Sequence, residues 1–549
     1  MPSISKRILL LYTDQYYFTK QIYPFGLDLI AGHLRNYGHT VTLDYPFLPE
    51  PDLETNLTRI IRNTNPDFIG LGLRNLDTTL SCEPRGDYAG PDYRTFYFLP
   101  SVERIVGFIR VLLPRVPIII GGGAFTVSPQ AVLRRLDLRY GIVGEGAEPL
   151  RRFIEAWPDE KQVAKVPNLI YGNGDGFSAN PRLPFTFEEH SPPLQRARKF
   201  NYAYETAGMP VQVKRGCNRD CSYCVEPLIE GRQFVFRDPD AVIEELRYIA
   251  DTHSQVRRIF FVDTEFNIPD LDYAALLVRK IIASRLHERF HFSSQFLPHP
   301  LDRGFAKLLA EAGFSIILTC DSFAGSVLAN NHTPYRRKHI IEALELCGRF
   351  GLDCSINLIF GLPGETHATI DQTLETIRKY PADGLRSYEC TFGGRVYQGT
   401  PLCRWVAEKE ARRHLFGRPS EGFLEPLYYC SPESPFEIKT HIEKNAPFLT
   451  PHRSRDDSDV QQRLAVCFLA DQSRWEAAVV KFLESDLYTR SAIYDYLFRT
   501  LAKFGETERA RTVSEQFLRA ILESEDANAY RDQIPLIQYY LGLLGSRSH

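Results

Sequence analysis

"VKRGCNRDCSYCVEP", residues 213–227, sets Cys217, Cys221 and Cys224 within eight residues. Three thiols this close can hold metal, yet no fourth Cys or His stands beside them. A structural zinc site takes four protein ligands, and a catalytic one leans on His. Three thiolates suit a 4Fe–4S cluster that keeps one iron open. The missing ligand is then a substrate or cosubstrate. Lys214, Arg215 and Arg219 lie alongside and favour thiolates electrostatically.

The loop follows an apolar strand, "PVQVKRG". Five more strand-like runs come after it: "RRIFFVD", "FHFSSQF", "FSIILTCD", "DCSINLIFG" and "LRSYECTFGG". Helical patterns fill 238–252, 270–286, 302–312, 335–350 and 366–379 between them. Strand–helix units joined by short loops predict a partial (β/α)6 barrel over 211–405, whose chemistry lies at the C-terminal strand ends. The cysteine loop stands at such an end.

Residues 1–157 read as a second α/β unit. "RILLLYT", "TVTLDYP", "DFIGLGLR", "VPIIIGGG" and "YGIVGEG" are strands that alternate with amphipathic helices. Continuous apolar strands are buried on both faces, as in a doubly wound parallel (Rossmann-like) sheet. Its ligands sit beyond the carboxyl strand ends, where Gly121, Gly122, Gly123 and the "GEG" of 144–146 stand. Glycine there lets a ligand approach the backbone. No G-x-G-x-x-G follows the first strand, which weakens a nicotinamide or flavin reading. Residues 158–210, with the turn signal "YGNGDGF", read as a linker with one hairpin, and 406–549 as a small, mainly α-helical domain. Its Tyr- and Phe-rich helices read as core packing.

Of the 549 residues 44% are hydrophobic and 24% charged, with net charge −3, so bulk electrostatics point to neither nucleic acid nor membrane. No apolar run reaches the ~18 residues of a bilayer span. The opening "MPSISKRILLLYTDQYY" reads as a first strand and not a signal peptide. Eleven cysteines, an odd number in so long a chain, imply reduced thiols and a cytoplasmic setting. The eight outside the loop read as small buried hydrophobes.

"RGCNRDCSYCVEP" resembles the cluster motif of radical S-adenosylmethionine (SAM) enzymes. "FFVDTEFNIP", "LIFGLPGET" and "GGRVYQGTPL" extend the resemblance to about residue 402. It implies that Cys217, Cys221 and Cys224 ligate a 4Fe–4S cluster and that SAM chelates the open iron. By position Glu265 is similar to the carboxylate that binds the SAM amino group. Tyr223, Ser294, Gln295, Asp321 and Asn357 are candidates for the other SAM contacts.

"YPFGLDLIAGHLRNYGHTVTLDY", "DFIGLGLRNLD", "PIIIGGGAFTVSP" and "YGIVGEGAEPL" resemble the cobalamin-binding domain that precedes the barrel in one large radical SAM branch. The resemblance places cobalamin at Arg74, Asn75, Gly121, Gly122, Gly123, Ala124, Gly144, Glu145 and Gly146. The loop over 12–26 lacks the His of the D-x-H-x-x-G motif that ligates cobalt from below in many cobalamin proteins. Arg74 is expected to face the corrin instead.

Together the resemblances imply a cobalamin-dependent radical SAM methyltransferase acting on a carbon of a small molecule or peptide precursor. A flavodoxin or ferredoxin would supply electrons, and the enzyme would be a monomer. No side-chain base is required, which fits the absence of a Ser/His/Asp set. The alternatives are polar methylation of an sp2 carbon, as in tryptophan C-methyltransferases of this branch, a cyclase or rearrangement enzyme, and a non-catalytic sensor. A methylthiotransferase fits less well, since the N-terminal part has only Cys82 where those carry a cysteine cluster. His299, Tyr388 and Tyr397 are further strand-end residues with no assigned role.

Overall fold

The computed structural model describes residues 5–14, 22–47, 52–84, 86–174, 176–187, 200, 208–253, 256–407, 411–451, 458–524, 530–531 and 533–545. It is an α/β structure of two seven-stranded sheets followed by a helical bundle.

The first sheet has the order β2-β1-β3-β4-β5-β6-β7. Its strands are β1 (Arg7–Tyr12), β2 (Thr40–Asp44), β3 (Phe68–Gly72), β4 (Ile118–Gly121), β5 (Tyr140–Ile142), β6 (Leu169–Gly172) and β7 (Phe177–Ala179). The five expected strands, β1 to β5, pair in parallel. Every residue of β3 is buried, and in β1 only Arg7 is exposed, as helices on both faces require. The hairpin expected at "YGNGDGF" supplies β6 and β7, which extend the same sheet, β6 antiparallel to β5 and β7 antiparallel to β6. The strand order reverses between β1 and β3, which opens a crevice at their C-terminal ends. Asp14 and Arg74 face each other there at 3.7 Å.

The second sheet runs β8-β9-β10-β11-β12-β13-β14. Its strands are β8 (Met209–Val211), β9 (Arg258–Phe261), β10 (His291–Phe296), β11 (Phe314–Asp321), β12 (Asp353–Phe360), β13 (Arg386–Phe392) and β14 (Thr450–Pro451). All are parallel neighbours. The six expected barrel strands are β8 to β13. Burial alternates along β11, β12 and β13, unlike the first sheet. One face is apolar; on β9 to β11 the stacked rings of Phe261, Phe292 and Phe314 lie 5.3–6.1 Å apart. The other face carries half-buried Thr319, Asn357, Glu389 and Thr391 and lines a cavity. Period-2 side chains thus separate core from site.

The stretch after 405, read as mainly helical, also holds short strands. Leu415–Gly417 and Leu427–Tyr429 form an antiparallel sheet with Gly394–Arg395, and β14 adds the seventh barrel strand. Runs of two or three residues carry no periodicity, which is why sequence pattern missed them. Helices Ser458–Asp471, Trp475–Glu484, Leu487–Lys503, Thr507–Glu523 and Gln533–Gly545 build the bundle around Phe482, Tyr494, Leu497 and Phe517. It docks on the first sheet, where Phe468 packs on Tyr45 at 4.7 Å.

The loop after β3 reaches the barrel. Asp77, fully buried, accepts from Arg395 Nε at 2.8 Å, and Arg395 is 4% exposed. Tyr428 donates to the Leu80 carbonyl, and Ser81 to that of Phe392. Asp77→Asn leaves a buried guanidinium without its counter-charge. It is expected to cost about 3–5 kcal/mol, read from the urea midpoint, with Asp77→Leu/Arg395→Met recovering much of the loss. Equal midpoints for Asp77→Asn and the parent would show that the pair contributes nothing.

Candidate functional site

The cysteine loop begins directly after β8 and is held from below. Asp263 Oδ1 accepts from Val213 N at 2.9 Å and Lys214 N at 2.7 Å. Glu230 Oε2 accepts from Gly216 N and Thr264 Oγ1, each at 3.1 Å. The Cys217 amide donates to the Gly231 carbonyl at 3.0 Å. Gly216 has φ +99°, and a Cβ there would stand 2.0 Å from the Gln233 carbonyl oxygen, so only glycine fits this turn.

Above the loop lies a cavity of about 580 Å³. Cys217, Cys221 and Cys224 line it together with Tyr223, Glu265, Gln295, Asp321 and Asn357, and Thr79 and Leu80 reach it from the first sheet's loop. The three thiols are free of disulfides. Among the described residues no three His, Cys, Asp or Glu side chains converge as a single-ion site does. Three separate thiols on one loop, facing a cavity, fit the donor set of a polynuclear iron–sulfur cluster.

Burial dominates the electrostatics. It pushes all three thiols up, against the opposing pull of Lys214 and Arg219 on Cys217. The neighbouring cations expected to favour thiolates therefore do not outweigh burial. Arg215 is taken by Glu145 at 2.6 Å. Burial raises Glu265 to about 7, opposed by the Thr319 hydroxyl, which donates to its Oε1 at 2.9 Å. Burial likewise raises Asp321 and Asp263 to about 6. Tyr223 donates to Asp321 Oδ1 at 2.7 Å and offsets part of that rise.

The buried polar atoms on cavity-lining residues that lack a hydrogen-bond partner include Glu265 Oε2, Asn357 Oδ1, Asp263 Oδ2 and Arg219 Nε. Buried groups are normally satisfied. Acceptors and a cationic donor left open around one space fit a ligand that carries both an ammonium and a carboxylate, as SAM does.

Ser294 is the expected SAM contact that the strand turns away. It is buried on the face of Phe292 and Phe296, and its hydroxyl donates to the Phe261 carbonyl at 2.9 Å. Gln295, next in the pleat, lines the cavity. Sequence reasoning missed Thr319, Glu389, Thr391 and Asp263, although inward parity along the strands and the turn "VDT" could have pointed to them. Tyr397 lines the cavity. Tyr388 faces away and donates to the Tyr380 carbonyl at 2.5 Å, and His299 is exposed and stacked on His339.

The residues expected at cobalamin lie together at the ends of β3, β4 and β5, outside the 580 Å³ cavity. Gly122, with φ +108°, is required by protein packing: a Cβ would meet the Leu73 carbonyl oxygen at 2.3 Å. Gly121 packs against the Ile142 carbonyl, Gly123 faces Arg74 O and Ile229, and Ala124 N donates to Arg74 O at 3.0 Å. Gly144, with φ +68°, lies near Arg182, and Gly146 near Ile30. Glu145 accepts from Gly146 N and Ala147 N besides pairing Arg215, so its carboxylate is engaged by protein. Arg74, with Asn75 beside it, keeps a 39% exposed side chain at the switch-point crevice. That exposed cation, beside a turn that tolerates close approach, fits a bulky ligand seated on the strand ends. The part of the 12–26 loop over 15–21 lies outside the described residues.

Residues 211–377 match the family model described as the Radical SAM superfamily, so the barrel is a radical SAM domain. The chain is also similar to tryptophan 2-C-methyltransferase of Streptomyces laurentii, 23% identical over 507 residues that span 78% of this chain and 80% of that one. The solved radical SAM methyltransferase TsrM of Kitasatospora setae, with cobalamin and a 4Fe–4S cluster bound, superposes with TM-score 0.69 at 20% identity, over 87% of this chain and 99% of that one. The cobalamin-dependent SAM radical enzyme OxsB, with aqua-cobalamin bound, gives 0.65 at 14% identity over 99% and 84%. These likenesses establish the fold: a sheet domain, a radical SAM barrel and a helical C-terminal region. Among the described residues no helix is long and apolar enough to cross a membrane.

Glu365 of "GLPGET" provides a pH test away from the thiols. Burial raises it to about 7 from 4.5, opposed by Thr369 Oγ1, which donates at 2.5 Å. The folded state therefore holds a proton that the unfolded state has lost, and stability falls as pH rises from about 4.5 to about 7. Glu365→Gln is expected to make the urea-midpoint profile shallower in that window, where Glu265, Asp263 and Asp321 also titrate. An unchanged slope would mean that Glu365 titrates normally.

Proposed function

We propose that the chain is a cobalamin-dependent radical SAM methyltransferase that moves a methyl group from SAM to a carbon of a small molecule or peptide precursor. One observation carries this: the loop after β3 of the first sheet and the strand ends of the barrel meet around a cavity lined by three free cysteines and by polar atoms without protein partners. When bound, the cluster supplies the electron that breaks a carbon–sulfur bond of SAM, and cobalamin supplies a carrier for the methyl group.

The protein's share is holding and orienting. Cys217, Cys221 and Cys224 hold the cluster through thiolates. Glu265 Oε2 receives the SAM ammonium, while Thr319 fixes the other carboxylate oxygen. Arg219 Nε meets the SAM carboxylate. Tyr223, Asp321, Asn357 and Gln295 bound the remaining polar surface. Arg74, Asn75 and Gly144 border the crevice for cobalamin, and the Arg74 guanidinium, which cannot deprotonate, is no cobalt ligand. A small electron-transfer protein, flavodoxin or ferredoxin, would be the electron donor, and the enzyme would act as a cytoplasmic monomer.

Anaerobically reconstituted protein is expected to bind about four irons per chain. With methyl-labelled SAM it should pass label to an organic acceptor, and tryptophan heads the candidates because the curated relative's name carries it. Cys217→Ala, Cys221→Ala and Cys224→Ala should each lose iron and label together. Iron-free, zinc-loaded protein that still transfers label would overturn the proposal, and an unmethylated rearranged product would replace it with a cyclase or rearrangement activity.

A further inference from the structure

Among the described residues, three on the cavity wall other than glycine have left-handed backbone: Glu265, Asp321 and Thr79, the last at φ +63°. Thr79 stands apart from the other two. It is β-branched, and such a side chain crowds the backbone at positive φ, where glycine sits at no steric cost. No other described Val, Ile or Thr adopts this conformation. Thr79 also comes from outside the barrel, on the loop after β3 of the first sheet.

The loop explains the turn but not the residue in it. Thr79 N donates to Asp77 Oδ1 at 2.8 Å, which closes a turn on the Asp side chain. Thr78 N donates to the Phe96 carbonyl at 3.2 Å, and the Leu80 carbonyl accepts from Tyr428 at 3.1 Å. A glycine at 79 would keep all three bonds with less strain. Among the described residues the Thr79 hydroxyl has no hydrogen-bond partner. A strained side chain that holds nothing within the protein, on the wall of a cavity, points to a ligand. Leu76, Asp77 and Thr78 are fully buried and separate Thr79 from Arg74 and Asn75 at the crevice of the first sheet. Leu80, Ile359 and Tyr397 line the same cavity as Thr79 and give it an apolar and aromatic surface. A lone hydroxyl on such a surface can satisfy a neutral polar group but cannot offset a buried charge.

We infer that Thr79 is a specificity-determining residue whose hydroxyl accepts a hydrogen bond from the methyl acceptor, so that the substrate class is an apolar molecule carrying a neutral N–H or O–H. This rests on the methyltransferase reading for the identity of the acceptor, but the binding preference can be measured without catalysis.

The test is equilibrium binding to reconstituted holoprotein, using matched pairs that differ in one hydrogen-bond donor: L-tryptophan against 3-benzothienyl-L-alanine, and L-tyrosine against 4-methyl-L-phenylalanine. In at least one pair the N–H or O–H member is expected to bind about 3- to 10-fold tighter. Thr79→Val, which keeps the branch and loses the hydroxyl, should erase that preference, and Thr79→Ser should keep it, with iron content, cobalamin content and SAM binding as in the parent. Thr79→Gly should also erase it, with a urea midpoint at or above the parent's. Equal binding within both pairs, no binding by any of the four, or a preference that survives Thr79→Val each overturns the inference. So does loss of cobalamin in Thr79→Val, which would put the contact at the crevice, or a midpoint well below the parent's in Thr79→Gly, which would show that the turn is unstrained. A Thr79-dependent preference without transfer of labelled methyl to any acceptor would sink the methyltransferase reading and leave this one standing.

Discussion

The Asp77–Arg395 pair ties the loop after β3 to the segment that follows the last long barrel strand. Together with the bonds from Tyr428 to the Leu80 carbonyl and from Ser81 to the Phe392 carbonyl, it fixes Thr79 and Leu80 on the cavity wall. Such a pair is costly to desolvate, and it persists because further hydrogen bonds support it: Asp77 also accepts from Thr79 N at 2.8 Å, and three carbonyls accept from Nη1 and Nη2 of Arg395. It positions the wall more than it stabilises the fold.

The cavity floor follows the same physics. Asp263, Glu265 and Asp321 all sit above their usual range because the fold keeps them from water. Asp263 recovers part of that cost from two loop amides and from Lys214, which fixes the turn before Cys217. Glu265 has φ +51° and Asp321 φ +55°, both left-handed. Backbone strain at two neighbouring carboxylates marks positions held for what they face.

The two sheets use β-structure in opposite ways. The first is apolar on both faces, and its chemistry is confined to the turns at its edge. The barrel strands alternate, with stacked aromatics on one side and Thr, Asn and Glu on the other. A half-open barrel can afford polar inner residues because its centre is a ligand cavity and not a packed core.

Sequence by itself determined the strand–helix succession, since long apolar runs have few ways to be buried, and it singled out the cysteine loop, since three thiols in eight residues have few chemical uses. It also supplied Glu265, Asp321 and Asn357 by their positions at strand ends or within a strand. Tertiary structure alone decided the rest. Ser294 and Gln295 are neighbours in sequence, yet only Gln295 lines the cavity, because parity in a pleat is set by register. Gly122 and Glu145 read as ligand contacts; the structure adds that a Cβ at Gly122 would meet Leu73 and that Glu145 pairs with Arg215. Thr79, Leu80 and Asp77 lie more than a hundred residues before the cysteines, and no local pattern announces that their loop closes the site. Contact between distant segments follows from packing, which a linear pattern does not carry.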